Sequence, residues 1–368
     1  MKIINVVGAR PNFVKMAPLM RAMRDRDGIE PVLLHTGQHY DLYMSDIFFD
    51  DLELPPPDIH LHVGSGSHGW QTAQIMMSFE ELLQTMRPDI VLVVGDVNST
   101  LACSIVAAKL LIPVAHVEAG LRSFDRSMPE EINRIVTDAL SDCLFTTCYE
   151  ANDNLRREGI SESKIFFVGN LMVDALLDNI EKAKRRRTWE RLGLEPKEYA
   201  VLTVHRPGNV DNRKTFEDIL AAVEVIQREI PIVFPAHPRT KARLAELTLE
   251  NRLTGVSALH VVEPLGYLDF LGLCAHARLV LTDSGGLQEE TTVLGIPCLT
   301  LRENTERRVT IVDGTNIIVG TDPARIVAGT LQVLDGRAKR GSVPDLWDGK
   351  AAERIVEVLP DACLGRAG

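Results

Sequence analysis

Short runs of Val, Ile and Leu alternate along the chain with longer stretches whose apolar residues fall at three- and four-residue spacing. Ile3–Val7, Pro31–His35, Ile90–Val94, Pro113–Val117 and Leu144–Thr147 read as strands. Lys15–Arg24, Thr72–Met86 and Thr100–Leu111 read as amphipathic helices between them. This alternation predicts βαβ units, a parallel sheet and right-handed crossovers. After Phe166–Asn170 a charged helical stretch runs from Asp174 to Leu192. The pattern restarts with Ala200–Val204, Ile232–Ala236, Leu259–Val262, Leu279–Thr282, Cys298–Leu301 and Asn316–Val319. The expected fold class is α/β, with two doubly wound Rossmann-like domains facing a cleft. The first domain is expected over residues 1–172, completed by a C-terminal helix within 350–368, and the second over residues 173–349.

Composition narrows the class of function. A chain of 368 residues is long enough for two domains. It carries 40 Lys and Arg against 51 Asp and Glu, a net −11, and its one basic run, Lys182–Arg187, reads as a solvated helix face. That balance disfavours a general nucleic-acid binder. The first strand begins too early for a signal-peptide core, and the longest apolar stretch, Leu101–Val114, is broken by Lys109 and is too short to cross a bilayer. The six cysteines are scattered through apolar runs without a C-x-x-C pair. They read as reduced core thiols in a cytoplasmic protein.

In open parallel sheets ligands bind beyond the carboxyl ends of the strands. The chemically active residue types collect at those ends. Arg10, His39, Asp96 and Glu118 follow successive strands of the first half, and His205, His237 and Asp283-Ser284 follow strands of the second.

Gly64-Ser65-Gly66-Ser67-His68-Gly69 matches G-x-G-x-x-G, but it lies outside the first βα turn and no acid ends a following strand. It reads as a glycine-rich mobile loop. A stronger phosphate signal is Thr282-Asp283-Ser284-Gly285-Gly286-Leu287-Gln288-Glu289-Glu290, where a strand leads into a helix. Small residues let backbone N–H groups approach an anion at a helix start, and Glu290 stands one turn on, placed to accept bonds from vicinal hydroxyls. Gly8-Ala9-Arg10-Pro11 with Lys15 is a second candidate anion site, and His205-Arg206 and His237 stand at neighbouring strand ends. Each has a plainer reading, as a capping turn, a solvated side chain or a structural histidine. Among the acids, Asp96 and Glu118 directly follow buried strands, while Glu130 opens a helix whose dipole favours an acid in any case. No H-E-x-x-H or comparable cluster offers a metal site.

Taken in order, these motifs resemble the UDP-N-acetylglucosamine 2-epimerases, chiefly the non-hydrolysing bacterial and archaeal type. The likeness covers nearly the whole chain. It rests on Gly8–Pro11 with Lys15 and Pro18, Thr36-Gly37-Gln38-His39, Gly95-Asp96, His116–Arg122, Pro129-Glu130-Glu131 with Asn133-Arg134, His205-Arg206, Thr282–Glu290 and Thr305-Glu306-Arg307. The resemblance implies the two-domain architecture of nucleotide-sugar glycosyltransferases, a UDP-sugar substrate and a homodimer. It implies Asp96, Glu118 and Glu130 as catalytic carboxylates and His205 as a catalytic or leaving-group contact. It also implies substrate binding by Arg10, Lys15, Leu265, Phe270, Ser284, Gly285, Gly286, Glu290 and Arg307, to which the strand-end reading adds His237. There are departures. Pro207-Gly208 replaces the usual x-Glu after His205-Arg206, Arg308 stands where proline is common, and Trp70-Gln71 occupies the place of an Arg-Gln pair that holds an activating UDP-sugar in some members.

Inverting C2 of an N-acetylhexosamine is difficult because no neighbouring carbonyl acidifies that proton. Without a dinucleotide motif, the residues fit elimination better than transient oxidation, and no cofactor is expected. A carboxylate takes the C2 proton as the C1–O bond to UDP breaks, and UDP then re-adds on the glycal. Three alternatives stand beside this reading: a hydrolysing epimerase that releases N-acetylmannosamine, a glycosyltransferase of the same architecture, and an inactive UDP-sugar sensor.

Overall fold

The runs of Val, Ile and Leu form the strands of two parallel sheets in the computed structural model, which describes residues 1–38, 51–249, 252 and 258–364. Two compact units emerge: Met1–Asp178 with Asp345–Gly368, and Asn179–Pro344.

In the first unit the strands are β1 (Lys2–Val7), β2 (Glu30–His35), β3 (Ile59–His60), β4 (Ile90–Val94), β5 (Val114–Ala119), β6 (Cys143–Thr146) and β7 (Ile165–Phe167). Their order is β3-β2-β1-β4-β5-β6-β7. Helices α1 (Arg10–Arg24), α2 (His68–Met86), α3 (Asn98–Lys109), α4 (Pro129–Leu140), α5 (Tyr149–Arg157) and α6 (Leu171–Arg185) follow in chain order. β4 and β5 are buried throughout and β1 beyond Lys2, which is why they read as largely apolar rather than alternating runs. The order reverses where β1 pairs with β4, so the ligand crevice of this unit is expected at their carboxyl ends. Gly8 is required there. A Cβ on it would stand 2.0 Å from the Ser99 hydroxyl in the first turn of α3. Asn12 ties the same turn down, accepting from the Gly8 and Ala9 N–H groups and donating to the Val94 carbonyl.

The second unit repeats the plan. It holds α7 (Thr188–Arg191), β8 (Ala200–Thr203), α8 (Pro207–Val210), α9 (Arg213–Ile226), β9 (Ile232–Pro235), α10 (Pro238–Glu246), β10 (Leu259–Val262) and α11 (Tyr267–Ala275). Then come β11 (Leu279–Thr282), α12 (Gly285–Leu294), β12 (Cys298–Thr300), α13 (Val309–Val312), β13 (Asn316–Ile318) and α14 (Pro323–Leu334). The order is β10-β9-β8-β11-β12-β13, with its switch point between β8 and β11. Phe216, Ile219, Val223 and Ile326 pack the helices onto one face, and Trp189, Tyr199 and Leu273 close the other.

The differences from expectation have local causes. β3 was not foreseen, because two residues at a sheet edge carry no periodicity. The charged stretch after Asp174 is two helices, broken at Arg187, which takes the left-handed conformation with φ +48°. The reading of six reduced thiols is corrected at one pair. Cys143 on β6 and Cys363 on the last helix, α15 (Ala351–Leu364), are joined by a disulfide, while Cys103, Cys148, Cys274 and Cys298 are free and buried. Partners 220 residues apart have no sequence spacing to betray them.

The terminal helix α15 packs on α1 and β6. Trp347 just before it donates its indole N–H to the Thr147 carbonyl at 2.8 Å. Asp174 in α6 caps α15, accepting from the N–H groups of Ala351 and Ala352. Burial pushes the Asp174 carboxyl up to about 6, against the pull of those two donors. A folded-state value above that of the unfolded chain means the folded state holds its proton to higher pH. Its contribution therefore favours folding at low pH and is withdrawn as pH rises from about 4 to about 6. The difference in thermal midpoint between wild type and Asp174→Asn is expected to change across that window and to be flat above it. A difference independent of pH contradicts the assignment.

Candidate active site

Glu118, the last residue but one of β5, has φ +74°, a conformation that a non-glycine residue keeps only when its surroundings hold it there. The pairing of β5 with β6 slips between Val117 and Ala119, so Glu118 is the extra residue of a bulge. Its carboxylate is ion-paired with the Lys15 amine, and both side chains are buried. Gly95, just past β4, has φ +69°, and a Cβ there would lie 3.6 Å from the same amine. The next residue, Asp96, receives the Arg134 guanidinium at 2.5 Å, and Asn133 holds its backbone carbonyl at 2.8 Å. Glu130 stands half-buried in the first turn of α4, and its carboxylate makes no ion pair or side-chain hydrogen bond among the described residues. The first unit thus presents three carboxylates from the ends of β4 and β5 and the start of α4. Two of them are gripped by buried cations.

A buried network lies behind them. His116 on β5 has one ring nitrogen 2.6 Å from Asp138 and the other 2.9 Å from the Gly95 carbonyl. Asp138 also takes Arg122 at 2.7 Å and the Gly120 N–H at 3.0 Å. Burial works to raise the Asp138 carboxyl, but His116 and Arg122 outweigh it and hold it below the usual carboxylate value. The turns carrying Asp96 and Glu118 are therefore pinned from beneath.

In the second unit Asp283 follows β11 and is fully buried. Its carboxylate accepts from the backbone N–H groups of His205 and Arg206 and from the Asn209 amide, and lies 2.9 Å from His205 Nδ1. Burial alone would raise this carboxyl. The His205 ring and the two N–H donors reverse that and bring it below its ordinary value. The result fixes the ring of His205, which is 42% exposed and so has one edge open to a ligand. The His237 ring centroid is 6.1 Å away, and His237 Nδ1 caps α10 by accepting from the Arg239 N–H.

No side chain caps α12, whose first turn carries Gly285 and Gly286 behind Ser284. A Cβ on Gly285 would meet the Arg307 guanidinium at 2.5 Å. Arg307 pairs with Glu289 and Glu306, and Glu306 also takes Arg302 at 2.8 Å and Arg206 at 3.6 Å. Burial, together with Arg206 and Arg307, lowers the Arg302 guanidinium despite Glu306. Three guanidinia against two carboxylates beside an uncapped helix start form a ready anion site. Glu290 lies one turn further on, buried, with Tyr267 donating to it at 3.4 Å. Leu265 and Phe270 pack at the edge of the Trp189 cluster.

Several expectations shift. Lys15, a candidate anion ligand, has its amine paired with Glu118 beside the end of β4. Arg10 is the first residue of α1, one place before Pro11, which was expected to open the helix, and is half-buried. Gln71, at the place of the activator pair, is buried and bonds to the Gln38 and Gly64 carbonyls, while Trp70 is largely exposed. His39 lies outside the described residues. Sequence reasoning left Arg134, Glu131, Asp138 and Asp283 without roles. For Asp283 the signal was present, an acid directly after an apolar strand. Among the described residues no group of three or more His, Cys, Asp or Glu is arranged to hold a metal, and no helix is long and apolar enough to cross a membrane.

A sequence-family model of UDP-N-acetylglucosamine 2-epimerase matches residues 21–360. The chain belongs to that family. It is 45% identical to the UDP-N-acetylglucosamine 2-epimerase of Methanocaldococcus jannaschii, with 98% of this chain and 99% of that protein aligned. It is 39% identical, over 98% of this chain and 99% of the other, to the UDP-2,3-diacetamido-2,3-dideoxy-D-glucuronate 2-epimerase of Pseudomonas aeruginosa. The crystal structure of the M. jannaschii epimerase in complex with UDP-GlcNAc and UDP superposes with a TM-score of 0.90 over 98% of this chain and 99% of that one, at 43% identity. The two parallel sheets of 7 and 6 strands are those of the UDP-N-acetylglucosamine 2-epimerase fold.

The Asp283 cluster makes a direct stability test in this epimerase-family chain. Asp283→Ala strands two backbone N–H groups and the Asn209 amide at a buried position and releases the partly exposed His205 ring. Urea unfolding of the variant is expected to lose about 3–5 kcal/mol. A loss under about 1 kcal/mol contradicts the arrangement.

Proposed function

We propose that this chain catalyses the reversible epimerisation of UDP-N-acetylglucosamine to UDP-N-acetylmannosamine by elimination and re-addition of UDP. The observation that carries the reading is the placing of Asp96 and Glu118 at the carboxyl ends of the adjacent strands β4 and β5, gripped by Arg134 and Lys15, with Glu130 in the first turn of α4 one turn before Arg134. One carboxylate removes the C2 proton. The C2–H electron pair becomes the C1=C2 double bond, and the C1–O bond breaks with its electrons leaving on UDP. Re-addition of UDP to C1 returns the electron pair to C2, which is protonated on the opposite face by a second acid. Three carboxylates supply enough proton-transfer groups for both faces.

The leaving diphosphate needs positive charge and N–H donors where its charge develops. The uncapped start of α12 with Ser284, Gly285 and Gly286 offers N–H groups, and the excess charge of Arg206, Arg302 and Arg307 offers the field. His205, oriented by Asp283, is assigned to the leaving oxygen, and Arg10 to the diphosphate. Glu290 is assigned to the ribose hydroxyls, and Leu265 and Phe270 to the base. The reading includes a homodimer, for which exposed Met77 and Leu111 offer apolar surface, and a cytoplasmic location.

Proton and phosphorus NMR of the protein with UDP-N-acetylglucosamine in D2O tests this reading. A mixture of the two UDP-sugars should form, with deuterium at C2 and only traces of free sugar. Steady release of UDP and N-acetylmannosamine favours the hydrolysing alternative, and full retention of the C2 proton during turnover ends the elimination mechanism. A parallel run with the diacetamido-glucuronate substrate of the P. aeruginosa relative decides between the two UDP-sugars.

Asp96→Asn, Glu118→Gln and Glu130→Gln should each lower turnover by at least about a hundredfold while UDP binding holds. Near-normal turnover in any one removes that residue from the mechanism. Arg10→Ala should raise the fraction of glycal and UDP that escapes, and an unchanged fraction contradicts its assignment to the diphosphate.

A further inference from the structure

Glu131 is the residue after the candidate acid Glu130, and it has 1% of its side chain exposed. Its carboxylate is fully used. Oε2 accepts from the Ser123 N–H at 2.9 Å, the Ser123 hydroxyl at 3.0 Å and Arg134 at 2.7 Å, and Oε1 accepts from the Phe124 N–H at 2.9 Å. Ser123 and Phe124 lie five and six residues after Glu118, in the segment that leaves β5, and Phe124 sits there with φ +59°. Arg134, with 2% of its side chain exposed, binds Glu131 through Nε and Nη2 and Asp96 through Nη1. Burial works to raise the Glu131 carboxyl, and the Ser123 and Phe124 N–H groups with Arg134 hold it below its usual value.

We propose that Glu131 and Arg134 are a positioning pair that sets the places of Asp96 and Glu118 together: Arg134 aims the Asp96 carboxylate, and Glu131 locks Arg134 to the segment that follows Glu118. This rests on the function proposed above. Neither residue is assigned a proton. Two of the candidate acids come from neighbouring strands. The His116–Asp138 network holds the backbone of their turns, and Arg134 with Glu131 holds the side chain of Asp96. The guanidinium is planar, with its fork directions fixed, so it transmits the orientation of Glu131 to Asp96 in a way that a lysine amine cannot. Asn133 assists by holding the Asp96 backbone from the same helix turn. An alternative is that the pair only stabilises the fold, as any buried ion pair with satisfied donors does.

Steady-state kinetics of the full-length protein on UDP-N-acetylglucosamine separates the two. Arg134→Lys keeps the charge and loses the fork. It should lower kcat about ten- to a hundredfold, the scale of a displacement near 1 Å, with KM within about twofold. Glu131→Gln keeps the shape and should do the same, and if it does not fold, Arg134→Lys carries the test alone. The deciding arm is a double-mutant cycle. In Asp96→Asn the group that Arg134 aims is already disabled, so adding Arg134→Lys should lower residual turnover by less than about twofold. Multiplicative losses in the cycle, or Arg134→Lys with wild-type kcat, overturn the proposal. So does a melting temperature that falls without any change in kcat. If wild type itself neither epimerises the substrate nor exchanges its C2 proton, the function fails first, and the positioning claim falls with it for that separate reason.

Discussion

A parallel sheet buried on both faces leaves no room for an unpaired charge along its strands, and this chain has two such sheets. Its chemically active side chains stand at the carboxyl ends of the strands, and those that remain buried there are paired. Glu118 pairs with Lys15, Asp96 with Arg134, and Asp283 with His205. The cost of desolvating each charge is offset only while its partner stays in place. The same pairs therefore stabilise each strand end and orient the groups that the proposed chemistry uses.

The two units solve this constraint in different ways. In the first, the glycines Gly8 and Gly95 let helices α1 and α3 close over the sheet edge, bringing Lys15 and Ser99 against the backbone. A bulge then turns Glu118 out of the strand's alternation. The outcome is rich in carboxylates. In the second, Gly285 admits Arg307 to the start of α12, and Asp283 organises the turn after β8. The outcome is rich in donors and positive charge. One set suits proton transfer and the other suits a leaving diphosphate.

Much of the framework was legible in the sequence. The strands Ile90–Val94, Leu259–Val262 and Leu279–Thr282 are bounded to the residue; the first and third are buried along their whole length and so read as apolar runs, while Leu259–Val262 is a partly exposed edge strand. The strand-end acids and histidines were visible for the same reason. Their partners were not. Lys15 with Glu118, Arg134 with Asp96 and Cys143 with Cys363 join residues distant in sequence, through packing that no local spacing records. Glu131 shows the limit well. Beside Glu130 it looks like a second first-turn acid favoured by the helix dipole, while in the structure it is buried with five donors on it.

The central claim is that the bond between C1 and the diphosphate breaks and re-forms while UDP stays bound. Positional isotope exchange reads this directly. UDP-N-acetylglucosamine is prepared with 18O in the bridge between C1 and the β-phosphorus, and phosphorus NMR follows the label during turnover. Cleavage frees the β-phosphate to rotate, so the account predicts label in the non-bridging positions at a rate comparable to epimerisation. Inversion at C2 with all label retained in the bridge contradicts it.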